Sequence, residues 1–140
     1  MDCVVDLSFS AGWFQPSQAH ADGERLLKSH LNGDVCVVCP SIWGYETVNL
    51  LATALRRGTL TEDQANTGLG LLNALEVRID ESHSDTVRTR WYHLARQFKL
   101  TAYDAAYLEL ADRLQVPLLT RDDQLLRAAK ARNLPVTLPK

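Results

Sequence analysis

The sequence predicts an α/β protein: a mostly parallel central sheet of about five strands, covered by helices on both faces. Two observations predict it. Short apolar runs alternate along the chain with segments of helical period. Successive runs are separated by enough chain for right-handed βαβ crossovers, which place helices over both faces of the sheet. A length of 140 residues, 46% of them hydrophobic, suits one domain spanning 1–140 with a core of its own. No internal repeat, low-complexity segment or linker divides the chain.

The elements follow in order. CVV (3–5) is the first strand. SQAHADGERLLKSHL (17–31) is a helix with Ser17 as N-cap after Pro16, weakened by Gly23. VCVVC (35–39) is the second strand, and PSIWGYETVNLLATAL (40–55) is a helix opened by Pro40-Ser41 and stopped near Gly58. LTEDQANTGLGLLNAL (60–75) opens on the capping box Thr61-x-x-Gln64, with Gly68 and Gly70 unfavourable in its middle. EVRID (76–80) alternates as a strand does. Residues 83–98 carry Val87, Trp91, Leu94, Ala95 and Phe98, the clearest helical period in the chain. In LTAYDAAYLELADRL (100–114), Tyr103, Ala106, Tyr107, Leu110 and Leu114 form one apolar stripe. VPLLT (116–120) is a strand, DDQLLRAAKAR a helix, and LPVTL (134–138) a final strand.

Composition narrows the function. No apolar run approaches the roughly 18 residues of a membrane span, and MDCVVD does not resemble a signal peptide, so the expected location is the cytoplasm. A formal net charge of −2 gives no overall basic footprint for nucleic acid. An enzyme that gathers acids in one pocket and fills it with cations remains compatible with that charge. Cys36-x-x-Cys39 lies within a strand-like run, where residues three apart face opposite ways, so these are core thiols rather than a redox or zinc pair. Trp13, Trp43 and Trp91 read as packing residues. Arg56, Arg57, Arg88, Arg90, Arg96, Lys99 and Arg121 read as solvated faces that are also available to phosphates.

In a parallel sheet the functional crevice lies at the carboxyl ends of the strands, at a switch in strand order. Acids are awkwardly placed at that edge. Asp6 directly follows CVV, and Asp122 follows PLLT. Asp104 stands in the first turn of its helix on the side of Leu108 and Ala111. Glu46 shares a side with Ile42 and Leu50 and is too far from its helix start to be a cap. Separately each has an ordinary reading: a turn, a cap (Thr101-x-x-Asp104 fits a capping box), or for Glu46 an exposed position or a partner for a buried arginine. Jointly, four carboxylates converging on one sheet edge repel one another. Hard divalent cations with oxygen ligands, Mg²⁺ or Mn²⁺, resolve that repulsion.

VVDLSFSAGWF, PSIWGYETVNLL, LTAYDAAYLELADRL and PLLTRDDQLL together resemble the PIN-domain ribonucleases, and among them the VapC-type toxins of bacterial and archaeal toxin–antitoxin pairs. The resemblance spans essentially the whole chain, and Tyr103-Asp104-Ala105-Ala106-Tyr107 is its most specific segment. It implies a three-layer αβα fold. Asp6, Glu46, Asp104 and Asp122 would be the catalytic acids that bind Mg²⁺ or Mn²⁺, with Ser8 and Thr120 orienting ligands or water. It further implies RNA cleavage by a metal-activated water, a cognate antitoxin that blocks the site, and a homodimer. Asp123 is a second acid beside Asp122. With Thr120 as N-cap it would complete a capping box and leave Asp122 to the metal.

Two other classes compete. A non-catalytic PIN-like interaction module would lose one or more of the acids, and all four are present. Phosphatase-type α/β hydrolases need a second acid two residues after the first-strand Asp, where this chain has Ser8. Receiver domains need a Lys after a late strand, and PLLTRDD has none.

Overall fold

The computed structural model describes residues 1–139. Four parallel strands form the sheet: β1 (Asp2–Val5), β2 (Cys36–Pro40), β3 (Arg78–Asp80) and β4 (Leu118–Leu119), in the spatial order β3-β2-β1-β4. Consecutive residues Cys3–Val5 and Val37–Pro40 are all buried, so both faces of these strands are covered. The helices are α1 (Leu7–Ser10), α2 (Ala21–Leu31), α3 (Ile42–Arg56), α4 (Glu62–Ala74), α5 (Asp85–Phe98), α6 (Ala102–Leu114) and α7 (Asp123–Ala131). Among the described residues no helix is long and apolar enough to cross a membrane.

The expected fifth strand, 134–138, does not form. Asn133 takes a positive φ of 59°, and the segment contributes one backbone bond to β4, Leu118 N to Pro135 O at 3.0 Å. Pro135 has no N–H to return, so no ladder develops. Leu134, Val136 and Leu138 pack against the core without strand pairing.

The expected start of the second element moves too. Pro16–Gln18 is a 3-10 turn, and α2 begins at Ala21 with His20, not Ser17, as its cap. His20 Nδ1 accepts from Gly23 N at 3.2 Å. A Cβ on Gly23 would sit 2.8 Å from the His20 ring, so the glycine that weakens the helix on propensity is what lets its cap pack. Two other local signals hold. The Thr61–Gln64 capping box is reciprocal, and Gly58 follows α3 at φ 73°. Trp13 and Trp43 are core residues. Cys39 is sealed in the core and Cys3 is pushed up to about 12, both by burial, which leaves neither a ready thiolate.

Helix α6 is buried all round from Ala105 to Ala111, because it packs on β1, β2 and β4 and is flanked by α5 and α7. Tyr103, expected in its apolar stripe, is instead exposed, since the packed section begins only after the first turn.

Candidate active site

Strand order reverses direction between β1 and β4: the chain steps from β1 outward to β2 and β3, then returns to the other side of β1. The crevice at such a switch point lies beyond the strand carboxyl ends. Asp6 leaves β1 there, and Thr120 to Asp122 leave β4. Both segments, with α3 and α6, line one depression that contains Asp6, Ser8, Glu46, Asp104, Tyr107 and Asp122. Among the described residues no basic side chain lines it.

Asp6 is the deepest of the four acids, 4% exposed. It caps the one-turn helix α1, and its Oδ1 accepts from Phe9 N at 3.2 Å and from Ser8 Oγ at 2.7 Å. Thr120 Oγ1 donates to Oδ2 at 2.7 Å. Ser8 Oγ in turn accepts from Arg121 N at 2.8 Å, and Ser8 and Thr120 lie 3.1 Å apart. The polar knot therefore ties the ends of β1 and β4 together. Burial pushes the Asp6 carboxyl up to about 6, against the pull of three donors, and the Asp104 charge adds to the rise. A second tie runs to α3: Ser10 Oγ donates to Asp6 O at 3.0 Å and accepts from Trp43 Nε1 at the same distance.

Glu46 reaches the depression from α3. Tyr107 Oη donates to its Oε1 at 2.6 Å. Burial raises the Glu46 carboxyl above its usual range, and the Asp104 charge raises it further. Asp104, half-buried, is raised by burial and by Asp122. Thr101 Oγ1 accepts from Asp104 N at 3.1 Å, the backbone half of the expected box. Asp122 is the N-cap of α7, accepting from Leu125 N at 2.8 Å, and Asp122 N donates to Thr120 Oγ1 at 3.1 Å. The expected register is thus overturned: Thr120 is not the cap, and Asp123 is the first helical residue, with no capping box. The extended backbone of Asp122, at φ −83° and ψ 121°, is the non-helical geometry a cap requires. Asp122 faces the depression as well as capping.

The one arginine-paired buried acid lies elsewhere. Glu109, 2% exposed, takes Arg113 Nε on both oxygens at 3.0 and 3.1 Å, and Arg113 Nη1 and Nη2 grip Asp80 at 3.1 and 3.0 Å. The contrast tests whether a divalent ion fits the depression. Where an arginine is supplied, as at Asp80, the carboxyl is held below its usual range. Among the described residues none lines the depression, and the Asp6, Glu46 and Asp104 carboxyls are raised. The donors are all hard oxygens, which suits Mg²⁺ or Mn²⁺. Among the described residues no three acidic, histidine or cysteine side chains are grouped closely enough to hold an ion by themselves, so an ion held here would rest on one or two carboxylates and complete its shell with water. Sequence reasoning missed Tyr107 and Ser10 as site residues, because one sits in an apolar stripe and the other in a turn without signature.

The PIN domain family model matches residues 3–131. Ribonuclease VapC3 of Pyrobaculum aerophilum is 33% identical over 129 residues, covering 89% of this chain and 92% of that protein. Ribonuclease VapC1 of Mycobacterium tuberculosis is 31% identical over 128 residues, covering 91% and 90%. Among solved structures, PAE2754 from Pyrobaculum aerophilum superposes with a TM-score of 0.69 at 20% identity, covering 91% of this chain and 84% of that one. VapBC2 from Rickettsia felis, bound to a DNA fragment from its promoter, gives 0.68 at 13% identity, covering 97% of both. The family model matches nearly the whole chain, and the curated relatives exceed 30% identity over about nine-tenths of it: the chain belongs to the PIN-domain family and, within it, to the VapC type.

Proposed function

We propose that the protein is an endoribonuclease dependent on Mg²⁺ or Mn²⁺, the toxin of a type II toxin–antitoxin pair, with Asp6, Glu46, Asp104 and Asp122 as its metal-binding and catalytic acids. One observation carries the reading: four carboxylates from four elements line one depression at the switch point, with no basic side chain among the described residues that line it. The relatives named ribonuclease support RNA as substrate, and the VapBC complex supports an antitoxin partner. Tyr45, Val48 and Leu55, exposed along α3, support a homodimer.

Divalent ions bound here would supply a clamp on the scissile phosphodiester and an activated water for in-line displacement. The chain's own residues hold the ligands. Ser8, Thr120 and Phe9 N fix both oxygens of Asp6, and Leu125 N fixes one oxygen of Asp122. Asp104 lies near enough to Asp6 and Glu46 for its charge to raise both, and its own carboxyl is raised by Asp122. Without cations the depression repels a phosphate, so the ions must be in place for RNA to bind. Ser8 and Thr120 serve the site through Asp6, and Asp123 lies outside it.

The test is cleavage of a structured RNA by partner-free protein. Cutting is expected with Mg²⁺ or Mn²⁺ and stops with EDTA. Cutting that continues unchanged in EDTA overturns the metal-dependent reading. A non-catalytic module would bind Mn²⁺ without cutting any RNA.

A further inference from the structure

Glu46 enters the depression from the middle of α3, where no backbone N–H is free to hold its side chain, and among the described residues one hydrogen bond holds it: the Tyr107 hydroxyl donates to Oε1 at 2.6 Å. The Tyr107 side chain is 1% exposed and belongs to the hydrophobic core. Phenylalanine would fill the same space, so packing accounts for the ring and leaves the hydroxyl unexplained. Tyr107 follows Asp104 by three residues on α6, a spacing that puts both on one side of the helix. Helix α6 thus supplies one acid directly and grips a second one that belongs to α3.

The geometry points to Tyr107 as a positioning residue of the divalent-ion site: its hydroxyl holds Oε1 of Glu46 so that the carboxylate is fixed in rotation, with Oε2 left for the ion. The inference rests on the proposed function, since it needs Glu46 to be a ligand. A glutamate side chain free to rotate must be ordered at the moment an ion binds, which weakens binding. Partners that orient a ligand in this way typically change metal affinity by about 10–100-fold when removed. A tyrosine that merely finds a hydrogen-bond partner for its own buried hydroxyl would change stability and nothing else.

The experiment is a titration with Mn²⁺ alone, without RNA, followed by electron paramagnetic resonance, on full-length wild type, Tyr107→Phe, Glu46→Gln and the double variant. Melting temperatures without metal are measured alongside. Tyr107→Phe is expected to remain folded and to bind Mn²⁺ at least about tenfold more weakly. The double variant is expected to bind no more weakly than Glu46→Gln, because the hydroxyl acts only through that carboxylate. A dissociation constant for Tyr107→Phe within twofold of wild type overturns the inference, as does a full further loss in the double variant. If the Phe variant precipitates, Tyr107→Leu is read in the same way. Wild type that binds no Mn²⁺ overturns the proposed function, and this inference with it; wild type that binds while Tyr107→Phe binds equally overturns the inference alone.

Discussion

Asp6 illustrates what a single buried carboxyl does to the whole chain. Its carboxyl is raised from 3.8 to about 6, so the folded protein favours the protonated form more than the unfolded chain does. Its contribution to stability is therefore fully present below the ordinary carboxylate range, falls as pH rises through the window up to about 6, and stays lost above. At about 1.4 kcal/mol per pH unit, the penalty at neutral pH is on the order of 3 kcal/mol in ion-free protein. Asp6→Asn, which cannot ionise, is expected to melt higher than wild type at pH 7.5 without metal, to lose that advantage at pH 4, and to cleave no RNA. Calorimetry at the two pH values checks it, and a lower melting temperature at pH 7.5 would contradict it. At this scale the sequence was informative where an acid lacked an ordinary excuse. Asp6, Glu46 and Asp104 are legible from strand ends and helix faces. The sequence offers the i,i+4 pair Glu109 and Arg113, but only the fold shows that Glu109 is buried and that Arg113 also grips Asp80, 33 positions before it.

Among the elements, the start of α7 shows where local reasoning fails. Thr120-Arg121-Asp122-Asp123 offers two capping registers, and propensity alone favours the one with a box. The structure takes the other: Thr120 Oγ1 donates to Asp6 and accepts from Asp122 N, and the Asp122 carboxylate accepts from Leu125 N as the cap. Asp122 consequently does two jobs, and substitutions can separate them. Asn caps as well as Asp does, so Asp122→Asn is expected to abolish cleavage with little change in melting temperature. Asp122→Ala is expected to lose cleavage and also about 1 kcal/mol of stability. Asp123→Asn should keep its activity. Melting curves and cleavage rates for the three variants decide the matter; a cleaving Asp122→Asn would remove it from the ligand set. The unformed fifth strand has a similar cause: its hydrophobic alternation is real, but Pro135 deprives it of the donor a ladder needs.

For the whole molecule, the alternation of strands and helices predicted the sheet, and the sheet's switch point predicted where the acids would meet. What it could not predict was which side chains lock the layers together. Arg113 does so away from the acid depression, joining α6 to the end of β3 through Glu109 and Asp80. Arg113→Leu leaves two carboxylates without their partner and is expected to cost on the order of 3 kcal/mol. Mn²⁺ affinity of the protein that remains folded should be unchanged, which thermal melts and metal titration together will show. A parallel loss of affinity would mean the two acid groups are coupled. The knot that joins Asp6 and Ser8 to Thr120 carries a consequence in time. Its halves are 114 residues apart in the chain, and they are translated in that order. An emerging polypeptide can form α2, α3 and the β1–β2 pair early, as chains tend to fold from the N-terminus during synthesis. It cannot close the proposed nuclease site until the ribosome has released residues 118–122. The first 117 residues, about five-sixths of the chain, are therefore made beside the messenger RNA that encodes them before that site is assembled.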